Sequence, residues 1–167
     1  MGPVSTRHQL LVSFLGALIQ FWVEDRQSGL ALIAPFQMKL SLRPSGREPD
    51  VLFIARERLE LLKHNYLDGG ADLAIEIINP DSRTRDRKHK YQEYEQAGVR
   101  EYWIIDPLRE RVEFYELDEN HKFSQVHIAS DRTFHSKVLP GLWIKTDWLW
   151  QDPLPPLKFV LKEWGLV

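Results

Sequence analysis

The stretch that decides the fold runs from residue 72 to residue 106 and reads DLAIEIINPDSRTRDRKHKYQEYEQAGVREYWIID. Its two ends, 72–78 and 101–106, are short and almost entirely apolar, which is typical of strands buried on both faces. The polar segment between them, from about Thr84 to Ala97, has the composition of a helix and is stopped by Gly98. The order strand, helix, strand predicts a crossover onto a mixed sheet.

The flanking segments predict further strands of the same sheet. Residues 30–42 and 49–54 have the composition of two strands, and the turn-forming loop 43–47 separates them, so we expect antiparallel pairing. Residues 56–67 predict a short helix or helical turn. Residues 112–117 and 122–128 predict the strands of a meander.

The apolar run 10–23 near the start could be taken for a targeting segment. It is shorter than the roughly 20 residues that a membrane span needs. Residues 24–26, Glu-Asp-Arg, stand where a signal peptide would carry its cleavage site. Its apolar residues recur at helical spacing, and Ser5 or Thr6 could cap the helix. We therefore expect a core-facing helix in a cytoplasmic protein that has no membrane partner.

The composition is that of one folded domain. Of 167 residues, 43% are hydrophobic and 28% are charged, and a chain of this size can bury a sizeable core. We expect one α/β domain over residues 1–150, followed by a packing arm or short helix over 151–167. The sequence has no cysteine, which excludes a disulfide scaffold, thiol catalysis and cysteine-ligated metal sites. Its six histidines show no ligand spacing, and it has no P-loop and no GxSxG elbow.

Glu76 is the most informative single residue. It lies inside an apolar strand and shares a face with Ala74 and Ile78, because side chains alternate along a strand. A carboxylate in that position is costly unless it is paired, hydrogen-bonded or bound to a metal. The structural alternative is a glutamate near a strand end that reaches solvent or an arginine.

Two further positions could complete a site with Glu76. Asp50 precedes the apolar run 51–54, although a turn aspartate would look the same. Asp86, Lys90 and Tyr94 are spaced by four and share one helical face, as they also would on a solvated face with a weak Asp86–Lys90 ion pair. Two carboxylates on neighbouring strands can hold Mg²⁺, and a nearby lysine can orient a water and stabilise charge on a phosphate. The combination predicts a hydrolytic site for phosphodiesters.

The segment 83–90 is strongly basic in a chain whose formal charge is −2. It carries five lysines or arginines against one aspartate. Beside the predicted site it would attract a polyanion, and the candidates for phosphate contacts are Arg83, Arg85, Arg87 and Lys88. Surface charge at the start of a helix is an equal alternative. No motif that reads bases is visible.

Four motifs in this order resemble the Uma-type family of restriction-endonuclease-like proteins, which belongs to the PD-(D/E)XK nuclease superfamily. The family pattern has a Pro-Asp strand, a strand of the kind Val-Glu-Val followed by Ser-Pro, an Asp-x-x-x-Lys-x-x-x-Tyr helix and a Gly-Val-x-Glu-Tyr-Trp-x-x-Asp-Pro strand. The matching positions in this sequence are Pro49-Asp50, Glu76 with 79–82, Asp86 with Lys90 and Tyr94, and 98–107. The similarity spans roughly residues 8–145.

The resemblance implies a restriction-endonuclease-like α/β core with a central mixed sheet flanked by helices. It also implies hydrolysis of DNA phosphodiester bonds with Mg²⁺, for which Mn²⁺ can substitute, at an active site of Asp50, Glu76 and Lys90. Ile78 replaces the usual lysine two residues after the glutamate, so Lys90 takes that role. The resemblance further implies that the backbone carbonyl of Ile77 is a third metal ligand, and that Asp86 and Tyr94 support Lys90.

Other interpretations stay open beside this one. The sequence starts after the position where family members carry an acidic Glu-Leu-x-x-Gly motif, and Asn79 stands where serine is common. A catalytically inactive domain with this fold, used for protein interaction or oligomer formation, is the alternative. RNA is open as a substrate. We also expect a homodimer, since two-fold assemblies suit the cleavage of a duplex.

Overall fold

The computed structural model describes residues 4–41, 43–80 and 84–167. In these ranges the chain forms the helices α1 (Thr6–Arg26), α2 (Thr84–Gln96) and α3 (Leu157–Glu163). The strands are β1 (Gly29–Ile33), β2 (Gln37–Leu40), β3 (Arg43–Arg47), β4 (Val51–Ala55), β5 (Tyr66–Asp68), β6 (Leu73–Ile77), β7 (Glu101–Asp106), β8 (Arg111–Leu117), β9 (Phe123–Gln125), β10 (Thr133–His135) and β11 (Trp143–Lys145). Two 3₁₀ turns cover Arg56–Leu61 and Thr146–Trp150.

The central sheet is mixed, as the sequence predicts. Its strand order is β1-β4-β6-β7-β8-β9. Strands β6 and β7 are parallel, and α2 supplies the crossover between them. Every other neighbouring pair in this sheet is antiparallel, including the predicted pairing of β1 with β4. Strands β3, β2 and β5 form a small side sheet, and β10 pairs with β11.

Each face of the central sheet carries its own hydrophobic core. On β6, Leu73, Ile75 and Ile77 pack into the larger core with α1 and the C-terminal elements. Ala74 belongs to the second core, which includes Tyr94 of α2. Because side chains alternate along a strand, Glu76 points to the face that α2 covers.

Helix α1 confirms the predicted core-facing helix. The Ser5 hydroxyl caps it by accepting a hydrogen bond from the backbone N–H of His8. Its buried side chains contribute to the larger core, and the chain leaves the helix through Gln27 in the left-handed region. Of the helices in the described residues, none has the length and apolar character needed to cross a bilayer.

Two expectations for the N-terminal half are wrong, and a third is confirmed with shorter bounds. Residues 30–42 do not form one strand, because Pro35 lies at the break between β1 and β2 and has no N–H to donate to a ladder. Residues 43–47 are not a loop but β3, which pairs with β2. The helical turn predicted within residues 56–67 is present as the 3₁₀ turn Arg56–Leu61, and it is shorter than the predicted range because the chain then extends into β5, which pairs with β2 in parallel.

The C-terminal segment packs back on the start of the chain. Helix α3 lies against α1, and the Trp164 ring meets the Trp22 ring edge to face with 5.2 Å between centroids. The Trp164 indole N–H donates to the Trp143 carbonyl over 2.9 Å. These contacts lie on the face of the sheet opposite Glu76.

Candidate active site

The Glu76 carboxylate lies under α2 and is held at both of its oxygens. Only 8% of Glu76 is exposed. Its Oε2 accepts a hydrogen bond from Lys90 Nζ over 3.0 Å, and its Oε1 accepts one from Tyr94 Oη over 2.6 Å. The spacing by four on α2 therefore places both donors over the strand that carries the acid.

Asp50 reaches the same end of the sheet from the neighbouring strand. The antiparallel register pairs Val51 with Ile75, which sets Asp50 beside Glu76 one position further along. Asp50 Oδ2 accepts a hydrogen bond from the backbone N–H of Ile77 over 2.7 Å. The structure thus brings Asp50, Glu76 and Lys90 together, although they are far apart in the sequence.

Burial and mutual contact set the pKa values of Glu76 and Lys90. Burial raises the pKa of Glu76, and the negative charge of Asp50 raises that pKa further against the lowering effects of Lys90 and Tyr94. Burial alone would lower the pKa of Lys90, but the Glu76 carboxylate outweighs it and raises that pKa overall. Lys90 is therefore a firmly charged ammonium beside an acid that its surroundings make costly to ionise.

The donor atoms here fit a hard divalent cation. A carboxylate has about four lone-pair positions, and Asp50 and Glu76 each keep acceptor capacity beyond their protein hydrogen bonds. Positive charge between them would relieve the repulsion that raises the pKa of Glu76. No cluster of three or more acidic or histidine side chains able to hold a metal occurs in the described part of the chain. Such a cation would therefore complete its shell with the Ile77 carbonyl, water or substrate oxygens, as Mg²⁺ commonly does.

A hollow of about 30 Å³ opens beside these groups. The residues that line it include Glu76, Ile77, Arg87, Lys90 and Ile104. The volume is enough for one or two water-sized groups. The arrangement can therefore hold and orient a water against Glu76 and Lys90.

Arg47 belongs to the site region and was not predicted. Its side chain is 8% exposed and contacts Glu93 with Nε at 2.6 Å and Nη2 at 3.2 Å. Its Nη1 lies 3.0 Å from Asp86 Oδ1, while Asp86 Oδ2 lies 3.7 Å from Lys90 Nζ. Asp86 is thus shared between Arg47 and Lys90, and Arg47 ties β3 to α2 alongside Lys90.

His8 also reaches the site from the first turn of α1. Its Nε2 lies 3.3 Å from Asp50 Oδ1, and the side chain is buried. The helical pattern of the run 10–23 predicts the helix but carries no signal that its start meets Asp50. The Ser5 cap fixes where the helix begins and so where His8 stands.

The basic segment divides into outward and inward side chains. Arg85 and Lys88 are exposed on α2, and each is next in sequence to a residue that lines the small hollow, Asp86 or Arg87. Arg87 turns inward and pairs with the buried Glu113. Arg83 lies outside the described residues. The role of these side chains as phosphate contacts stays a prediction.

Comparisons with known proteins agree with this architecture. No curated protein sequence matches the chain. A solved structure from Anabaena variabilis ATCC 29413, described as a "putative nuclease belonging to DUF820", is 16% identical, with a TM-score of 0.72 over 87% of this chain and 81% of that chain. That likeness shows the fold, which is restriction-endonuclease-like. The model of the Uma2 family, described as "Putative restriction endonuclease", matches residues 1–147, and the chain therefore belongs to the Uma2 family.

Proposed function

We propose that the chain is a Mg²⁺-dependent endonuclease that hydrolyses DNA phosphodiester bonds. One observation carries the proposal: Lys90 Nζ lies 3.0 Å from Glu76 Oε2, and Asp50 stands on the adjacent strand. A partly buried ammonium next to a buried and a partly buried acid at a strand end suits chemistry on a phosphate better than it suits packing, since withdrawing charges from water costs stability. The family and the structural neighbour support a nuclease over other hydrolases.

The metal would be held by Asp50, Glu76 and the Ile77 carbonyl, and Mn²⁺ would substitute for Mg²⁺. When bound, the cation supplies Lewis acidity toward a phosphate oxygen and lowers the pKa of a coordinated water.

The side chains of the chain contribute orientation and charge. Tyr94 fixes the Glu76 carboxylate by its hydrogen bond to Oε1, and the Ile77 N–H fixes Asp50. Lys90 would donate to a water held in the small hollow and would place positive charge where the phosphate gains negative charge. The buried setting strengthens each of these interactions because few waters compete for them.

Substrate attraction would come from the exposed part of the basic segment. Arg85 and Lys88 are exposed on the same helix as Lys90 and would contact phosphates in a salt-dependent way. Such contacts position a strand without reading its sequence.

The inactive-domain alternative has one observation in its favour. Each oxygen of Asp50 and Glu76 already has a protein partner at 3.3 Å or less, namely Ile77, His8, Lys90 or Tyr94. If these partners occupied the carboxylate oxygens permanently, the site would keep its shape without admitting a cation. Catalytic assays separate the two possibilities.

The test is nicking of supercoiled plasmid DNA with Mg²⁺, Mn²⁺ or EDTA. We expect the wild type to nick with either metal and not with EDTA, and Glu76→Ala and Lys90→Ala to lose activity. Lys158→Ala, which removes an exposed lysine on α3, is the matched control and keeps activity. No nicking by the wild type, or equal nicking by all four proteins, would overturn the proposal.

A further inference from the structure

A second and larger hollow adjoins the candidate active site. It measures about 460 Å³, and its walls include Arg87, Lys88, Tyr91, Gln92, Ile104 and Tyr115. We name it the Tyr91 hollow. Arg87 and Ile104 also line the small hollow at Glu76 and Lys90, so the two spaces share a wall. A chain-like substrate that crosses the active site would pass directly into the Tyr91 hollow.

Helix α2 serves both spaces with different faces. Asp86, Lys90 and Tyr94, spaced by four, face the acids. The adjoining face of α2 lines the Tyr91 hollow with side chains that recur every three or four residues, at positions 84, 87, 88, 91, 92 and 95. The helix therefore fixes the distance between the reacting groups and the hollow.

The walls of the Tyr91 hollow combine aromatic and amide groups. The Tyr91 and Tyr115 rings meet edge to face with 5.1 Å between centroids, and Phe123 supports Tyr91 at 5.2 Å. Burial raises the pKa of Tyr115 to about 12, so its hydroxyl stays neutral near a phosphate. The exposed Gln92 supplies an amide that can donate and accept.

The charges at the rim suit a phosphate-bearing ligand. Lys88 is exposed and can meet an anion directly. Arg87 is partly exposed and pairs with Glu113, so only the guanidinium N–H groups that Glu113 does not take can meet an anion. Glu95 also lines the hollow, but its carboxylate accepts from the Phe123 N–H at 2.8 Å and lies 3.3 Å from Lys122 Nζ. The rim therefore presents Lys88 and part of the Arg87 guanidinium beside an aromatic floor.

A nucleobase flanked by its phosphates matches these walls. Every base has a π-face that stacks on a tyrosine, and its phosphates would meet Arg87 and Lys88. In a duplex that face is covered by the neighbouring pairs, so a base must be unpaired or extruded to reach a tyrosine. Resting on the proposed nuclease function, we propose that the Tyr91 hollow holds one unpaired base of the DNA strand next to the phosphate that is cut.

The test measures binding of the full chain in EDTA, where no cleavage occurs. The probe is a DNA duplex with one unpaired 2-aminopurine, whose fluorescence is quenched by stacking, and the reference is the same duplex fully paired. We expect the wild type to bind the probe about tenfold more tightly than the reference and to quench it. Tyr91→Leu abolishes both effects, Tyr91→Phe keeps them, and Tyr66→Leu, which removes a tyrosine outside the hollow, keeps them as well.

A second variant avoids any dependence on the folding of Tyr91→Leu. Gln92→Glu adds a negative charge at an exposed position of the rim and is expected to weaken probe binding severalfold. Gln151→Glu, at an exposed position directly after the 3₁₀ turn Thr146–Trp150 and outside the hollow, is expected to leave binding unchanged. Equal affinity for probe and reference, or no effect of Gln92→Glu, would overturn the inference. Equal affinity together with a dimer that Tyr91→Leu disperses in sedimentation would assign the hollow to a second copy of the chain.

The inference and the proposed function fail in different ways. Loss of nicking with retained preference for the unpaired base removes the nuclease and leaves the base site. Nicking with no preference for the unpaired base removes the base site and leaves the nuclease.

Discussion

Lys90 gives the sharpest residue-scale prediction. Lys90→Met leaves Glu76 without its 3.0 Å partner, and we expect the free energy of unfolding to fall by about 2 kcal/mol at neutral pH. Glu76 raises the pKa of Lys90 above 10.5 in the folded state, so the stabilisation is complete from neutral pH up to 10.5 and is lost as the pH rises through the higher folded value. Urea unfolding of wild type and variant across this range measures the difference.

The measurements above pH 10.5 supply the control for this prediction. Other lysines titrate in wild type and variant alike, so they cancel in the difference between the two proteins. A difference that stays constant far above pH 10.5, or that is absent at neutral pH, would contradict the ion pair.

Residue types and spacings in the sequence predict the central residues of the site. Strand alternation places Glu76 on one face, and the spacing by four places Lys90 and Tyr94 on one side of α2. The sequence does not predict Arg47, because its partners Asp86 and Glu93 are 39 and 46 residues away and only the fold brings them together. His8 is missed for the same reason.

At the scale of elements, β6, α2 and β7 are predictable because long apolar and polar runs alternate there. The side sheet is not, since β5 has three residues, too few for any periodicity, and pairs with β2 only through the tertiary fold. Strands β4 and β6 matter most for the candidate site, because their register sets Asp50 beside Glu76.

A substitution at Gly29 tests how closely the edge strand β1 packs against β4. A Cβ added there would lie 2.0 Å from the Ile54 carbonyl oxygen and 3.0 Å from the Arg56 nitrogen, both backbone atoms that cannot move aside, and φ is +153°. We expect Gly29→Ala to lower the free energy of unfolding by roughly 2 kcal/mol or more, measured by urea unfolding.

The Gly69→Ala variant separates the cost of backbone strain from the cost of the steric clash that Gly29→Ala would also cause. Gly69 also has a positive φ, +124°, but a Cβ there would meet nothing within 4 Å. We expect Gly69→Ala to lower the free energy of unfolding only by the cost of backbone strain, about 1 kcal/mol. Equal losses for the two variants would show that the contact of β1 with β4 is looser than the structure describes.

At the scale of the whole molecule, a net charge of −2 makes local charge decide any contact with nucleic acid. Neutralising Arg85 and Lys88 together, as Arg85→Gln/Lys88→Gln, should flatten the slope of log binding constant against log salt by about two, because each lost phosphate contact releases roughly one fewer counterion. Fluorescence anisotropy with duplex DNA in EDTA measures the slope.

The matched control for this double variant removes two exposed lysines of α3, as Lys158→Gln/Lys162→Gln. It lowers the net charge equally and should leave the slope near that of the wild type. Equal slopes for the two double variants would show that the basic start of α2 does not contact DNA.

The central claim is that Asp50, Glu76 and Lys90 act as one hydrolytic site on a DNA strand. The most direct measurement is the single-turnover rate of cleavage of end-labelled DNA in Mg²⁺ by Asp50→Asn, Glu76→Gln and Lys90→Met, compared with wild type and Lys158→Met. We predict losses of about a hundredfold or more for the three site variants and a wild-type rate for Lys158→Met. Site variants that cut as fast as the wild type would contradict the account.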